Sequence, residues 1–175
     1  MEIELEKTYL LKYIPEDLKN FPNKEYFDIY IPKTSEHPVL RIRKKGDEYE
    51  MTKKYPVNWQ DTSKQHEFTI PISKEEFEEL ESNLHGKRAI KQRYLSEYQG
   101  NKVEIDVFKG DLNGLILADF EFTCEEAKSK FTPPDFCLVE VTQEKAMAGG
   151  MIVGKKYQDI ALILAKYGYK PLFLD

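Results

Sequence analysis

The stretch EIELEKTYLL at residues 2–11 sets Glu2, Glu4 and Glu6 on every second position, with Ile3, Leu5 and Tyr9 on the places between. A strand throws alternate side chains to opposite faces. This one would be apolar on one side and carry three carboxylates in a row on the other. The same division recurs down the chain. Leu40 and Ile42 alternate with Arg41 and Arg43, Thr52 and Lys54 share a face against Met51, and Lys91 and Arg93 share another. Val103, Ile105 and Val107 oppose Glu104 and Asp106, Phe120 and Phe122 oppose Asp119 and Glu121, and Glu67 lies mid-strand in HEFTI.

An ordinary one-sided sheet, packed on one face and wet on the other, also alternates. Here the ionic faces are unusually pure: Arg-x-Arg, Lys-x-Arg, Glu-x-Glu, Glu-x-Asp and Asp-x-Glu, where a solvated face mixes in Ser, Thr and Gln. The apolar faces have helices to cover them. ISKEEFEELESN offers Ser73 as N-cap, Glu76 to complete a capping box, and Phe77, Leu80 and Leu84 on one stripe. KKYQDIALILAKYG is a second amphipathic helix with Gly168 at its C-terminal cap. A short turn at CEEAKSK is expected to start at Thr123 with Glu126, before Pro133-Pro134 breaks it. Gly46-Asp47 and Gln99-Gly100-Asn101 mark hairpins. The reading is a single α+β, mainly antiparallel β domain, with eight or so strands and two or three helices packed outside.

If such a sheet closes, its ionic faces line a lumen. Glu4, Glu6, Glu67, Glu104, Asp106, Asp119 and Glu121 would face Arg41, Arg43, Lys54, Lys91 and Arg93 there. Charges enclosed in that way are costly unless paired or occupied. Hard divalent cations prefer carboxylate oxygens and are often shared with substrate phosphates, while guanidinium forks suit phosphate oxygens. Acids for a metal and bases for phosphates make a polyphosphate site.

Composition narrows the alternatives. At 175 residues, with 41% hydrophobic residues, one globular domain with a real core is expected. A net charge of −5 without a concentrated basic block argues against nucleic acid as the main partner. The opening residues carry neither a basic region nor an apolar one, and LILADF and IALILA are too short to span a bilayer, so neither secretion nor membrane insertion is expected. Cys124 and Cys137 fit reduced thiols, and a cytoplasmic location follows. GGMIVGKK nearly spells a phosphate-binding loop. Lys156 fills the place where Ser or Thr would hold Mg²⁺ and no strand precedes, so a flexible loop leading into a helix is expected instead. His37, His66 and His85, with the two cysteines, have no zinc spacing. Trp59 is expected in a long loop.

The order of these motifs resembles the CYTH superfamily, the triphosphate tunnel metalloenzymes, over nearly the whole chain. ELEKT supplies Glu4 and Glu6 of its opening Glu-x-Glu-x-Lys, and YFDIYI is similar to its Tyr-Tyr-Asp-Thr strand. LRIRKKGDEYEMTKK resembles its Leu-Arg-x-Arg hairpin ending in Thr-x-Lys, and IKQRY its Lys-x-Arg-Tyr strand. VEIDVFKGDLNGLILADFEF matches Glu-Val-Asp-x-Phe, Gly-Leu and Ala-Glu-x-Glu, while LVEVT and KKYQDIALILA resemble the family's ending. Three positions depart: Thr8 stands where the signature has lysine, Asp119 replaces the usual Glu, and Gln65 sits where arginine is common.

The resemblance implies a closed eight-stranded antiparallel β-barrel, a tunnel that binds a triphosphate through bases and Mg²⁺ or Mn²⁺ through acids. Carried over by position, Glu4, Glu6, Asp119 and Glu121 are metal-ligand candidates. Glu67, Glu104 and Asp106 are catalytic candidates, as second-metal or water-orienting groups. Arg41, Arg43, Lys54, Lys91 and Arg93 would cradle phosphates, and Lys156 would cap the tunnel mouth. The implied activity is metal-dependent hydrolysis of the terminal phosphate of a small triphosphate. Its alternatives are a class IV adenylyl cyclase and a non-catalytic polyphosphate or nucleotide binder. A homodimer is one arrangement the sequence allows.

Overall fold

The alternating stretches form nine antiparallel strands among residues 2–174, which a computed structural model describes. They are β1 (Glu2–Leu11), β2 (Asn23–Ile31), β3 (Leu40–Lys45), β4 (Glu48–Asn58), β5 (Asp61–Pro71), β6 (Lys87–Tyr98), β7 (Asn101–Phe108), β8 (Ile116–Phe122) and β9 (Cys137–Glu140). The order runs β5-β4-β3-β2-β6-β7-β8-β1, and β1 then pairs back onto β5 from Glu2↔Glu67 to Leu5↔Lys64. That pairing closes an eight-stranded barrel, as the family resemblance implied. A barrel of this size has room inside for side chains or one small ligand. β9 adds to the far end of β1 at Tyr9–Leu11.

Local chemistry sets the turns. β6 and β7 are joined by Gln99 (φ 53°) and Gly100 (φ 72°), the two positive φ values of a hairpin turn whose twist matches the strands. Trp59 does not lie in a long loop. β4 continues through Pro56, with a register break between Pro56 and Asn58, and pairs Asn58 with Asp61. A proline cannot donate to the ladder, so the strand bulges past it and turns on Trp59-Gln60 alone. Trp59 is left 67% exposed on a hairpin tip.

The helices cover the outward apolar faces. α1 (Lys74–Asn83) has the expected Ser73–Glu76 capping box, and its Phe77 packs on Phe27 and Tyr49 over Ile29 and Ile42. α2 (Glu125–Lys130) starts one residue later than the sequence suggested. Cys124 is the N-cap, its Sγ accepting from Ala127 N, in place of Thr123. GGMIVGKK is not a flexible loop either: Gly149–Ile152 form a helical turn, α3. α4 (Tyr157–Lys166) buries Ile160 and Leu164 against Leu10, Leu115 and Leu117, and Gly168 (φ 72°) follows its end.

α3 seats on the segment joining β2 to β3, and this close approach explains its glycines. A Cβ on Gly150 would lie 2.2 Å from the Pro38 carbonyl oxygen, and one on Gly149 would lie 2.9 Å from Tyr30 Oη. Backbone cannot yield as a side-chain tip can. Gly150→Ala is therefore expected to lower stability by about 1–3 kcal/mol, as overpacking does, measured as a shift in the urea unfolding midpoint.

Candidate active site: an ionic tunnel

Inside the barrel is a cavity of about 760 Å³. Glu4, Glu6, Arg41, Arg43, Lys54, Glu67, Lys91, Arg93, Glu104, Asp106, Asp119 and Glu121 all line it. Lys156 does not. It is exposed at the N-cap of α4, its backbone N–H donating to the Asp159 carboxylate at 2.8 Å. The α3 turn borders the cavity at Gly149, Gly150 and Ile152, the chain leaves it past Gly154 (φ 74°) before Lys156 is reached, and Lys145 lines the cavity instead.

Strand register stacks the acids in rungs. Glu6, Glu121 and Lys102 are opposite one another across β1, β8 and β7, and Thr8, Asp119 and Glu104 form the next rung. The bases come mainly from the opposite wall. Arg43 makes a two-pronged pair with Asp28, at 2.5 and 2.7 Å, both groups being almost fully buried. Arg93 holds Asp106 through two bonds of 2.7 Å and also reaches Glu104, while Lys91 bonds Asp106 as well. Between them lies the ring of Tyr26, with the Arg43 and Arg93 guanidinium carbons 4.7 and 4.9 Å from its centroid and Lys91 Nζ at 6.0 Å. One aromatic face thus spaces three cations that would otherwise repel.

On the other side Lys54 is 2.5 Å from Glu4 Oε2 and 2.7 Å from Glu6 Oε2, and Gln65 Nε2 donates to Glu6 Oε1 at 2.5 Å. Glu4 and Glu6 therefore share the one Lys54 ammonium. Thr8 Oγ1 donates to Asp119 at 2.6 Å. Lys102 bridges Glu104 (2.7 Å) and Glu121 (2.9 Å). Arg41 stands apart. Its Nη1 donates to Tyr30 Oη at 3.1 Å, its Nε is buried without a partner, and among the described residues it pairs with no carboxylate.

Crowding shows in the proton affinities. Burial raises Glu6 to about 7; Lys54 opposes this, but Glu4 and Asp119 add repulsion. Burial and the neighbouring Glu104 likewise raise Glu121 to about 7, against the pull of Lys102. Asp119 is raised by burial and by Asp106. Burial would also raise Glu104 and Glu4, but Arg93 and Lys102 outweigh it and hold Glu104 near 2, and Lys54 outweighs it at Glu4, which is lowered. Burial and the adjacent Arg93 both lower Lys91. Burial is the first cause of all three rises, and repulsion among the acids adds to it.

Sequence reasoning missed Tyr26, Asp28, Glu50 and Lys102, which belong to this ionic network. On β2, Tyr26, Asp28 and Tyr30 alternate with Phe27, Ile29 and Ile31, so both faces look apolar or aromatic and the period carries little polarity. Lys102 has the parity of Glu104 and Asp106 and was legible on that ground. Among the described residues no three carboxylate, histidine or cysteine side chains gather into a ready-made metal cage. No described helix is long and apolar enough to cross a membrane.

No family model matches the chain. An inorganic triphosphatase of Nitrosomonas europaea is 34% identical over 144 residues, spanning 81% of this chain and 91% of that protein. The crystal structure of an inorganic triphosphatase aligns with a TM-score of 0.64 at 29% identity, over 89% of this chain and 97% of that one. A Hippeastrum adenylyl cyclase candidate with a dominant triphosphatase activity aligns with a TM-score of 0.51 over 97% of this chain and 89% of that one. At 14% identity that likeness is one of fold alone. The match to the N. europaea relative covers most of both chains, and this chain's ionic motifs line a closed eight-stranded barrel. The chain belongs to the CYTH superfamily of triphosphate tunnel metalloenzymes.

Proposed function

We propose that this protein hydrolyses the terminal phosphoanhydride of a triphosphate, inorganic triphosphate first among its substrates, with Mg²⁺ or Mn²⁺ as cofactor. The observation that carries the reading is Arg41. A buried guanidinium with an unpartnered Nε, in a lumen whose neighbouring bases are matched to acids, calls for an anion of its own. The relative named an inorganic triphosphatase supports phosphate as that anion.

The donor set fits a hard cation. Glu4 and Glu6 have a single ammonium, Lys54, between them, and Glu6 and Glu121, both raised to about 7, sit where added positive charge would favour their ionised forms. Glu4, Glu6, Asp119 and Glu121 would hold the ion. Its chemistry would be to neutralise phosphate charge and lower the proton affinity of water.

The chain's own groups do the rest. Arg43 and Arg93, locked by Asp28, Asp106 and Tyr26, are donors whose orientation is set before substrate arrives. With Arg41, Lys54 and Lys91 they hold the phosphate oxygens in an extended pose. Water attacks the terminal phosphorus in line, the bond to the bridging oxygen breaks, and diphosphate leaves. Among Glu67, Glu104 and Asp106, the last two are already engaged by Arg93, whereas among the described residues Glu67 accepts only from Thr69, at 2.7 Å. Glu67 has spare acceptor capacity to orient the water and take its proton. Glu67→Gln is expected to lower kcat about 10²-fold with KM little changed, read from initial rates on inorganic triphosphate.

The test of the whole reading is a product assay on inorganic triphosphate, thiamine triphosphate and ATP, each with Mg²⁺, Mn²⁺ or EDTA. Orthophosphate and diphosphate from triphosphate, formed with metal and lost in EDTA, is the expected result. Cyclic AMP from ATP would make the protein a cyclase, and tight binding without turnover would make it a binding module.

A further inference from the structure

We propose that Lys102 is a phosphate-binding residue of the tunnel and supplies the positive charge that β1 lacks at Thr8; this rests on the triphosphate reading above. Thr8 cannot serve. Its hydroxyl is committed to Asp119 at 2.6 Å, its backbone N–H donates to Thr142 Oγ1 at 3.0 Å, and its side chain is short and uncharged. Lys102 lies on the inward face of β7, one rung along and two strands over. Two strands over is about 9.6 Å, and the Lys102 ammonium already reaches Glu121 on the intervening β8 at 2.9 Å, so its charge borders the wall that a lysine at position 8 would command. It replaces the missing charge from the neighbouring strand system, at the level of Glu6 and Glu121.

Its setting differs from those of the other lumen cations. The Lys102 side chain is 51% exposed, against 21% for Lys54 and 10% for Arg93. Its carboxylate partners are more buried, but with its own side chain half exposed the ammonium has room to turn toward an arriving phosphate. Glu104 keeps Arg93 as its partner, and Glu121 is one of the carboxylates given above to the cation. Arg43, Lys54, Lys91 and Arg93 are more deeply buried with their acids, whereas Lys102, half exposed, has room to exchange its acids for a ligand. It is therefore suited to receive the phosphate chain as it enters.

The test combines loss with rescue. Binding of inorganic triphosphate is measured by calorimetry in EDTA, and turnover with Mg²⁺, for wild type, Lys102→Met, Lys102→Arg and the double variant Thr8→Lys/Lys102→Met. Lys102→Met is expected to weaken triphosphate binding by about tenfold or more, as loss of a charge-assisted contact does, and to raise KM in parallel. Lys102→Arg should retain most of the affinity. Thr8→Lys/Lys102→Met should regain it, because the charge returns to the lumen from β1. A residue that merely props Glu104 and Glu121 would not be rescued from position 8. Unchanged binding in Lys102→Met, or a loss that Thr8→Lys does not restore, overturns the proposal while leaving triphosphate hydrolysis standing. A wild-type protein that neither binds nor hydrolyses triphosphate overturns both.

Discussion

Arg41→Ala is expected to lower kcat/KM for inorganic triphosphate by about 10²–10³-fold while leaving the fold intact, because the residue gives the tunnel an anion site and gives the structure little else. Its guanidinium pairs with no carboxylate among the described residues, so truncation strands no buried acid. The bond to Tyr30 Oη and the contact with that ring, 5.9 Å from the guanidinium carbon to its centroid, are lost, and stability should fall by about 1–2 kcal/mol. Initial-rate kinetics beside a urea titration separate the two effects. Arg41→Lys should recover only part of the rate, since an ammonium cannot offer the same fork of donors. Wild-type kcat/KM in Arg41→Ala would remove the observation on which the functional reading stands.

Asp28→Asn should do the reverse, damaging stability first. Asp28 and Arg43 are 3% exposed each and joined by two short bonds. Removing one partner of a buried pair leaves the other uncompensated and costs about 3–5 kcal/mol. In a chain of this size that is a fall in Tm on the order of 10 °C. The effect should also depend on pH. Burial alone would raise the Asp28 carboxyl, but Arg43, with Arg41 and Lys91 beyond it, holds it well below the usual carboxylate range. A folded-state value below the unfolded one near 3.9 means that the ionised pair stabilises fully above about pH 4, and that this stabilisation is lost as acid protonates the carboxylate. Urea midpoints of wild type and Asp28→Asn should differ widely at pH 7 and converge as the pH falls toward 2. A constant gap across that range would mean that the ion pair is not the source of the stability.

Where sequence and structure part, the cause is specific. The ionic parity of β1, β3, β6, β7 and β8 was visible because their inward positions are charged and their outward positions are apolar. β2 hid its inward Asp28 among Tyr and Phe, which serve either face. Lys156 was placed at the mouth by its motif, yet it is α3 that borders the cavity, and past Gly154 the chain has left it. α3 itself depends on a glycine fitting against the Pro38 carbonyl, a contact between residues more than a hundred positions apart in the chain.

Alternation alone determined which side chains share a face, because a strand's period is two whatever surrounds it, and so it named the charges that a closed sheet would enclose. Only the tertiary structure decided which of those charges meet. The β1–β5 pairing, the stagger that sets Lys102 on the rung of Glu6 and Glu121, and the spacing of Arg43, Arg93 and Lys91 around Tyr26 all join distant segments. Ion pairing depends on distances of a few ångströms, and such distances between remote residues exist only after the barrel has closed.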